Sequence, residues 1–277
     1  MVAISRPTIE DIILRHSSRG MDVLRPHLPI DFCRSAAGVL LNLERGNILL
    51  TTGFYVAGFA ETDGPPGTFF LAKALNSLGF NAVIITDKFC RRFFGGVNVR
   101  YADINASSEY YSELLDRYSP KALISIERCG VNAKGDYANM RGVSIADHNA
   151  RLDALFELGR TRGIPSIGVG DGGNEIGMGN LQQIITNRLS LVPCEVTVDY
   201  LVIATVSNWG AFGLCAYLAL LSGRNDLLPD YEIAMAYLRH IVALGAVDGV
   251  TKQQVATVDS YPNEVEQEIL TRLNLNL

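Results

Sequence analysis

The chain has 277 residues, of which 48% are hydrophobic and 19% are charged. This supply of apolar side chains is enough for a large core and excludes an intrinsically disordered chain. The 24 lysines and arginines, against 29 aspartates and glutamates, give a formal net charge of −5 at pH 7. Because a mildly acidic chain without basic blocks lacks the charge that phosphate backbones attract, we expect no nucleic-acid partner.

Composition also argues against a membrane or secreted protein. The longest apolar run extends from Trp209 to Leu221, which is shorter than the roughly 18–20 residues of a membrane-spanning helix. No basic segment followed by a long apolar one marks a signal peptide near the N-terminus. The five cysteines are scattered and form no C-x-x-C pair, a usage typical of a reducing compartment. The sequence therefore predicts a cytoplasmic protein without a membrane partner.

From about residue 47 onward, short apolar runs alternate with segments of helical spacing. Because the runs are β-branched without polar alternation, they are typical of strands buried on both faces of a parallel sheet. The predicted strands cover residues 47–52, 81–86, 122–126, 166–169 and 199–206.

The helical segments lie between and after these strands. One helix is predicted to begin at the Pro65-Pro66 pair, because proline is well tolerated in the first helical turn, and another to be capped by Asp147. Further helices are predicted over residues 209–221, 231–244 and 263–275, and the first of these should be buried because it is apolar almost all round.

This alternation predicts an α/β fold, with a largely parallel sheet, helices on both faces and a site at the carboxyl ends of the strands. The N-terminal segment 1–45 is expected to be mainly helical and to pack on the sheet. We expect a single domain over residues 1–277, with residues 88–146 as the one candidate for a small separate lobe.

Each predicted strand ends in polar or glycine-rich residues. In open parallel sheets, ligands bind in the crevice beyond the carboxyl ends of the strands, so these ends should converge on one site. The candidate side chains follow four strands and are Thr62, Asp63, Glu127, Arg128, Asp171, Asn174, Glu175, Ser207 and Asn208.

The segment GDGGNEIGMG at residues 170–179 contains five glycines, two carboxylates and an amide. Glycines let the backbone approach a ligand closely, and carboxylate and amide oxygens suit a hard divalent cation or a substrate ammonium. The segment lacks the Gly-Lys-Ser/Thr of a phosphate-binding loop, and the first strand–helix unit lacks G-x-G-x-x-G, so we expect no nucleotide cofactor. The alternative is a glycine-rich connector with solvated acids.

Two helix N-termini have both a functional and a structural interpretation. The free N–H groups after Pro66 suit a substrate carboxylate, whereas Asp63 or Thr62 could serve only as a cap. Ser207 and Asn208 open the buried helix, where they could contact a ligand or only cap that helix.

The Glu127-Arg128 pair directly follows a predicted buried strand. Arg128 could hold a carboxylate bidentately, and Glu127 could act as a base or a metal ligand. The alternative is a structural ion pair with neighbouring side chains.

Five segments carry a resemblance to a known family: ETDGPPG at 61–67, IER at 126–128, GDY with NMRG within 135–142, GDGGNEIGMG at 170–179 and VSNWG at 206–210. Together they resemble the D-glutamate cyclase C-terminal domain family, long described as a domain of unknown function. The match runs in order from about residue 45 to 222. Two-domain members add an N-terminal hydro-lyase-like domain and a mitochondrial presequence, neither of which we expect in this chain.

The resemblance implies a lyase that interconverts D-glutamate and 5-oxo-D-proline with loss or gain of water. Closing the lactam requires a deprotonated amine, a polarised γ-carboxyl and a protonated leaving oxygen. We therefore expect catalytic roles for Glu127, Asp171, Glu175 and Asn208. A divalent cation (Mg or Mn) is expected on Asp63, Asp171 and Glu175. Substrate contacts are expected from Thr62, Gly67, Arg128, Gly172, Gly173, Asn174 and Ser207.

Two other functions stay open at this point. The same acids would serve a metal-dependent hydrolase of another small acidic substrate, or a protein that binds an amino acid without turning it over. The expected partner is a small acidic amino acid or its lactam, whereas the hydrolase would act on a phosphate ester or another amide. A homo-oligomer is also considered.

Overall fold

A computed structural model describes residues 7–189 and 191–277. The strands of this part of the chain are β1 (Asn47–Thr52), β2 (Tyr55–Val56), β3 (Phe59–Ala60), β4 (Asn81–Thr86), β5 (Asn98–Tyr101), β6 (Ala122–Ile126), β7 (Ser166–Gly170) and β8 (Tyr200–Ile203). β2 and β3 pair as a short antiparallel hairpin. The other six form one parallel sheet in the order β5-β4-β1-β6-β7-β8. The predicted parallel sheet is therefore confirmed.

The hairpin of β2 and β3 was not predicted, and within the parallel sheet β5 and β8 show the main differences from the prediction. β5 was not predicted, because it is a half-exposed edge strand and its sequence, NVRY, has no apolar run. β8 ends at Ile203 rather than at residue 206. The chain leaves the sheet there, because the N–H of Thr205 donates to the carbonyl of Ile13 in the N-terminal segment.

The helices of the described residues are α1 (Ile9–Ile13), α2 (Met21–Leu24), α3 (Phe32–Asn42), α4 (Pro65–Ser77), α5 (Ser108–Tyr118), α6 (Asp153–Thr161), α7 (Gln182–Arg188), α8 (Ser207–Ser222), α9 (Tyr231–Ala243) and α10 (Asn263–Asn274). The predicted cap at Asp147 is wrong, since α6 begins only at Asp153. Asp147 lies in a short 3-10 turn, which ends where the backbone of Asn149 becomes extended.

α8 is the central helix of the fold, and every residue in its stretch 207–219 is buried. It packs against α4 and against α1 and α3 of the N-terminal segment. The first six residues of the predicted segment 1–45 lie outside the described residues. None of the helices in the described residues is both long enough and apolar enough to cross a membrane.

The order of the strands reverses between β1 and β6. The chain moves outward through β4 to the edge strand β5, returns to β6, and then proceeds in the opposite direction to β8. Right-handed crossovers consequently place helices on both faces of the sheet. In open parallel sheets, ligands bind beyond the carboxyl ends of the strands where the strand order reverses.

Candidate active site

Six buried acids converge at the carboxyl edge of the sheet. Each has at most 7% of its surface exposed. They come from the loop before α4, the ends of β6 and β7, and the segment between α9 and α10. We call them the acidic cluster: Glu61, Asp63, Glu127, Asp171, Glu175 and Asp259.

The cluster contains two groups of three carboxylates that could each hold a metal ion. One group is Asp63, Asp171 and Asp259, and the other is Glu127, Asp171 and Glu175; the ligand oxygens within each group lie within 4.8 Å of one another. Asp171 belongs to both groups. The metal ligands predicted from the sequence, Asp63, Asp171 and Glu175, are therefore divided between two adjacent positions.

Arg19 supplies positive charge to this cluster and was not predicted from the sequence. It extends from the loop between α1 and α2, and its Nη2 donates to the carboxylates of Asp171 and Asp259 and to the carbonyl of Thr205, the last at 3.2 Å. Burial alone would lower the pKa of Arg19, but attraction to Asp171 and Asp259 outweighs it and raises the pKa well above its ordinary value. Arg19 is therefore a permanent cation in the cluster.

Burial raises the pKa of all six carboxyls. Repulsion from neighbouring acids raises the pKa of Glu61 and Glu127 further, whereas the guanidinium of Arg19 opposes the rise for Asp171 and Asp259. Because six acids beside one guanidinium cannot all ionise in a low-dielectric site, the cluster retains protons at neutral pH unless a further cation balances the charge.

Glu127 is held in a strained position directly after β6. Its φ of +46° lies in the left-handed region, which is unfavourable for a residue with a side chain and is often found at functional sites. The hydroxyl of Ser207 donates to Oε2 of Glu127 at 2.6 Å. An added Cβ at Gly64, whose φ is +92°, would lie only 2.8 Å from the Cβ of Glu127. Glycine at position 64 therefore makes room for this acid.

Asp63 accepts hydrogen bonds at the N-terminus of α8. The N–H groups of Ser207 and Asn208 donate to its carboxylate at 2.9 and 2.7 Å, and the N–H of Gly64 donates at 2.8 Å. Burial and the charge of Asp259 nevertheless raise the pKa of Asp63 to about 7, against the stabilising hydrogen bond from Asn208. Asp63 is thus both a cap and a group that can exchange a proton near neutral pH.

Asn208 performs the corresponding role at the N-terminus of α4. Its side-chain oxygen accepts the N–H groups of Gly64 and Gly67 at 3.0 and 2.8 Å, and its Nδ2 donates to the carbonyl of Thr62 at 3.1 Å. Gly67 allows the two helices to meet, because an added Cβ would lie 2.7 Å from the Cβ of Ala211. The side chain of Asn208 is therefore occupied by the protein backbone, and its expected catalytic role stays a prediction.

The glycine-rich loop after β7 is closed by its own acid. Oε1 of Glu175 accepts the N–H of Gly172 and Oε2 accepts the N–H of Gly173, both at 2.7 Å. Nδ2 of Asn174 donates to the carbonyl of Ala138 at 2.9 Å, and its Oδ1 is buried without a partner among the described residues. The glycine N–H groups expected to contact substrate are thus bonded to Glu175.

Arg128 joins the ends of neighbouring strands. Its guanidinium donates to Asp87 and to the carbonyls of Gly53 and Ala150, all at 2.6 Å, and its side chain is 1% exposed. This contact pattern matches the structural ion pair that the sequence left as an alternative. These contacts give no support to the predicted role of Arg128 in holding a substrate carboxylate.

The predicted substrate contacts at Thr62, Gly67 and Ser207 are also engaged within the protein. The hydroxyl of Thr62 donates to the carbonyl of Thr257 at 2.8 Å, and the polar groups of Gly67 and Ser207 bond to Asn208 and Glu127. These residues shape the edge of the cluster, and their contact with substrate remains a prediction.

A cavity of about 610 Å³ lies beside α5, outside the acidic cluster. Tyr137 and Asp153 line it, with the hydroxyl of Tyr137 donating to Asp153 at 2.9 Å. Arg151 and two residues of α5, Ser108 and Tyr111, are among the other residues that line it. None of the site residues predicted from the sequence lines this cavity.

Comparison with known proteins identifies relatives of the chain. The model of the family described as D-glutamate cyclase-like, C-terminal, matches residues 9–274. The mitochondrial D-glutamate cyclase of Homo sapiens is 31% identical over 249 residues, covering 80% of this chain and 39% of that protein. The chain thus spans about two fifths of the length of this relative.

Similarity to solved structures is weaker. An exopolyphosphatase-related protein from Bacteroides fragilis aligns with a TM-score of 0.45 at 10% identity, over 88% of this chain and 56% of that chain. UDP-glucose 4-epimerase from Brucella ovis, in complex with NAD, aligns with a TM-score of 0.30 at 16% identity, over 64% of this chain and 49% of that chain. Neither similarity supports an argument about function. The family match, in contrast, extends over nearly all of the sequence, and the chain belongs to the D-glutamate cyclase-like, C-terminal, family.

Proposed function

We propose that the chain is a lyase that interconverts D-glutamate and 5-oxo-D-proline with loss or gain of water. Membership of the family and the activity in the name of the human relative support this reaction. The observation that carries the proposal is the acidic cluster, because it collects six buried carboxyls of raised pKa around the guanidinium of Arg19.

The reaction moves two protons within the substrate. The amine nitrogen of D-glutamate bonds to the γ-carboxyl carbon, one C–O bond of that carboxyl breaks, and its oxygen leaves as water with both protons from the ammonium group. A site for this chemistry needs a proton acceptor and a proton donor close together, with no net uptake of protons.

Asp171 and Glu127 fit these two roles. Burial raises the pKa of Asp171 well above its ordinary value, and the ion pair with Arg19 opposes this rise. In its ionised form, Asp171 can accept a proton from the substrate ammonium. Burial and neighbouring acids raise the pKa of Glu127 well above its ordinary value, which favours the protonated form that can donate to the leaving oxygen. Ser207, bonded to Glu127 at 2.6 Å, orients this acid.

A divalent cation also fits the cluster. The group formed by Glu127, Asp171 and Glu175 offers three buried carboxylates, the oxygen donors that Mg and Mn prefer. These residues would hold the ion in their ionised forms, and the ion would supply Lewis-acid polarisation of the substrate γ-carboxyl. With the ion bound, Glu127 would be a ligand and not the proton donor. Calorimetric titration with Mn²⁺ tests this part of the proposal. Asp171→Asn should weaken binding, and unchanged binding in this variant would remove Asp171 as a ligand.

Chiral chromatography tests the reaction. The protein is incubated with D-glutamate or 5-oxo-D-proline, in separate samples with and without Mg²⁺ or Mn²⁺, and the L-enantiomers and a generic phosphoester serve as comparison substrates. We expect interconversion of the D-forms, its loss in Asp171→Asn, and its retention in Asp116→Asn, which changes only an exposed acid. Thermal stabilisation by D-glutamate without product would instead support a binding protein, and turnover of the phosphoester alone would support a hydrolase.

Cytoplasmic location is part of the same proposal. All five cysteines are free and buried, which supports a reducing compartment. Fractionation of cells that express the tagged chain tests the location, and size-exclusion chromatography tests whether the chain forms a homo-oligomer.

A further inference from the structure

The carboxyl of Glu61 differs from the other five carboxyls of the acidic cluster in its hydrogen bonding. Backbone N–H groups, the hydroxyl of Ser207 and the guanidinium of Arg19 donate to those five acids, which are Asp63, Glu127, Asp171, Glu175 and Asp259. Within the described residues, the carboxyl of Glu61 accepts no hydrogen bond and forms no ion pair. Its oxygens are therefore available to a donor from outside the protein.

Glu61 is buried in spite of this. The residue is 7% exposed, which makes it, with Asp259, the most accessible of the six acids. The charges of Asp259, Asp63 and Asp171 act on it. A carboxyl buried among other acids without a donor is unfavourable, and such a group in a native structure points to a missing partner. A ligand can reach it through the exposed fraction.

Gly249 leaves space for the carboxyl of Glu61. A Cβ added at position 249 would overlap Oε2 of Glu61 and would lie 3.4 Å from Oδ1 of Asp259. The tip of the Glu61 side chain is thus next to the backbone of the segment between α9 and α10. Any side chain at position 249 would displace this carboxyl.

An ammonium group fits the carboxyl of Glu61 better than a metal ion. Neither of the two groups of three carboxylates that could hold a metal includes Glu61. An ammonium group has three N–H donors and a single charge, so it forms charge-assisted hydrogen bonds with one carboxylate and needs no set of several ligands. D-glutamate carries such a group, whereas the ring nitrogen of 5-oxo-D-proline is uncharged.

We propose that Glu61 binds the ammonium group of D-glutamate. This assignment rests on the proposed function for the identity of the substrate. Asp171 remains the proton acceptor, and Glu61 holds the substrate nitrogen in the cluster. The interaction weakens when the lactam closes, because the nitrogen loses its charge, so Glu61 distinguishes D-glutamate both from its product and from a dicarboxylate without an amine.

The test uses two ligands that differ only in the ammonium group. D-homocysteate has a sulfonate in place of the γ-carboxyl of D-glutamate, so it cannot close a lactam, and 4-sulfobutyrate is the same molecule without the amine. Calorimetry measures the binding of both ligands to the wild-type protein and to Glu61→Gln. The control is Glu113→Gln, which changes an exposed glutamate of α5.

The wild-type protein should bind D-homocysteate about tenfold or more tightly than 4-sulfobutyrate. Glu61→Gln should lose this difference, because D-homocysteate binds about tenfold or more weakly while 4-sulfobutyrate keeps its affinity. This variant should fold, since it removes a charge from a group of acids. Glu113→Gln should keep both wild-type affinities. The proposal is overturned if Glu61→Gln keeps the wild-type affinity for D-homocysteate, if it weakens both ligands equally, or if D-homocysteate does not bind the wild-type protein.

A second pair of variants keeps the charge of Glu61 and moves its carboxyl. Gly249→Ala places a methyl group where Oε2 lies and should weaken D-homocysteate about fivefold or more without weakening 4-sulfobutyrate. Gly95→Ala is the control, because nothing lies within 4 Å of its added Cβ. Equal affinities for D-homocysteate in these two variants would contradict the proposal.

Binding and turnover separate this inference from the proposed function. D-homocysteate that binds through Glu61, in a protein that gives no product from D-glutamate, would support Glu61 as the ammonium anchor and refute the lyase. Interconversion of D-glutamate and 5-oxo-D-proline, with a KM for D-glutamate that Glu61→Gln leaves unchanged, would support the lyase and refute the anchor.

Discussion

Asp63 and Asn208 each cap the helix that begins beside the other residue. The carboxylate of Asp63, just before α4, accepts the N–H of Asn208 in α8 at 2.7 Å, and the side-chain oxygen of Asn208 accepts the N–H of Gly67 in α4 at 2.8 Å. The N-termini of α4 and α8 are thereby locked together at the acidic cluster. Both helices present their positive dipole ends to the buried acids. This arrangement explains how the fold tolerates so many carboxyls at one place.

Asn208→Ala should lower the free energy of unfolding by about 2–4 kcal/mol, since it leaves the buried N–H of Gly67 without its acceptor and removes one of the two acceptors of the Gly64 N–H. Urea denaturation measures the change. Asn225→Ala, at an exposed position, is the control and should change stability by less than about 0.5 kcal/mol. Equal stability of the two variants would contradict the capping role.

Gly67→Ala tests the close contact of α4 with α8. The new methyl group would lie 2.7 Å from the Cβ of Ala211 and 3.0 Å from the Cα of Asn208, and overpacking of this kind costs about 1–3 kcal/mol. Gly38→Ala in α3 is the matched control, because nothing lies within 4 Å of its added Cβ. It should be neutral or stabilising by up to about 1 kcal/mol. Thermal unfolding of both variants measures this difference in stability. A Gly67→Ala variant that is more stable than Gly38→Ala would contradict the close contact of α4 with α8.

Arg128→Met should lower the free energy of unfolding by about 3–5 kcal/mol, because it leaves the carboxylate of Asp87 buried without its partner. Arg162→Met breaks the exposed pair with Asp116 and should cost less than about 1 kcal/mol. Denaturant titrations measure both. A loss of ligand affinity in Arg128→Met at unchanged stability would instead restore Arg128 as a substrate-binding residue.

Stability should fall as the pH rises from about 5 to 8. The pKa of Asp63 is raised to about 7 in the folded protein, so between its unfolded pKa of about 4 and this value the folded state binds more protons than the unfolded state. Deprotonation therefore destabilises the fold across this range. Glu61, Glu127 and Asp171, whose pKa values are raised well above normal, extend the loss to higher pH.

Urea denaturation at several pH values measures this dependence. Asp63→Asn cannot ionise at position 63 and should flatten the decline below about pH 7, whereas Asp116→Asn, at an exposed acid, should leave it unchanged. Stability that rises through this pH range in the wild-type protein would show that the acids of the cluster are ionised.

The parallel sheet could be predicted because strands buried on both faces leave a clear apolar signal in the sequence. β6 and β7 are buried along their whole length and were located closely. β5 packs at an edge and has no such signal. The end of β8 is set by a contact between Thr205 and Ile13, which local patterns do not contain.

The acids of the cluster that directly follow strands, Glu127 and Asp171, were predictable from their position. Asp259 and Arg19 were not, because they approach the cluster from the C-terminal and N-terminal segments and meet across 240 positions of the chain. Glu61 was visible in the ETDG motif but had no assigned role. Residue type alone could not assign the partners of Arg128 either, because its contacts with Asp87 and the carbonyls of Gly53 and Ala150 join segments that are distant in the sequence.

A crystal structure with bound 5-oxo-D-proline tests the central claim most directly. The account predicts the ligand in the acidic cluster, with its lactam beside Asp171 and Glu127. A ligand found instead in the cavity lined by Tyr137 and Arg151, with the acidic cluster unchanged, would contradict it.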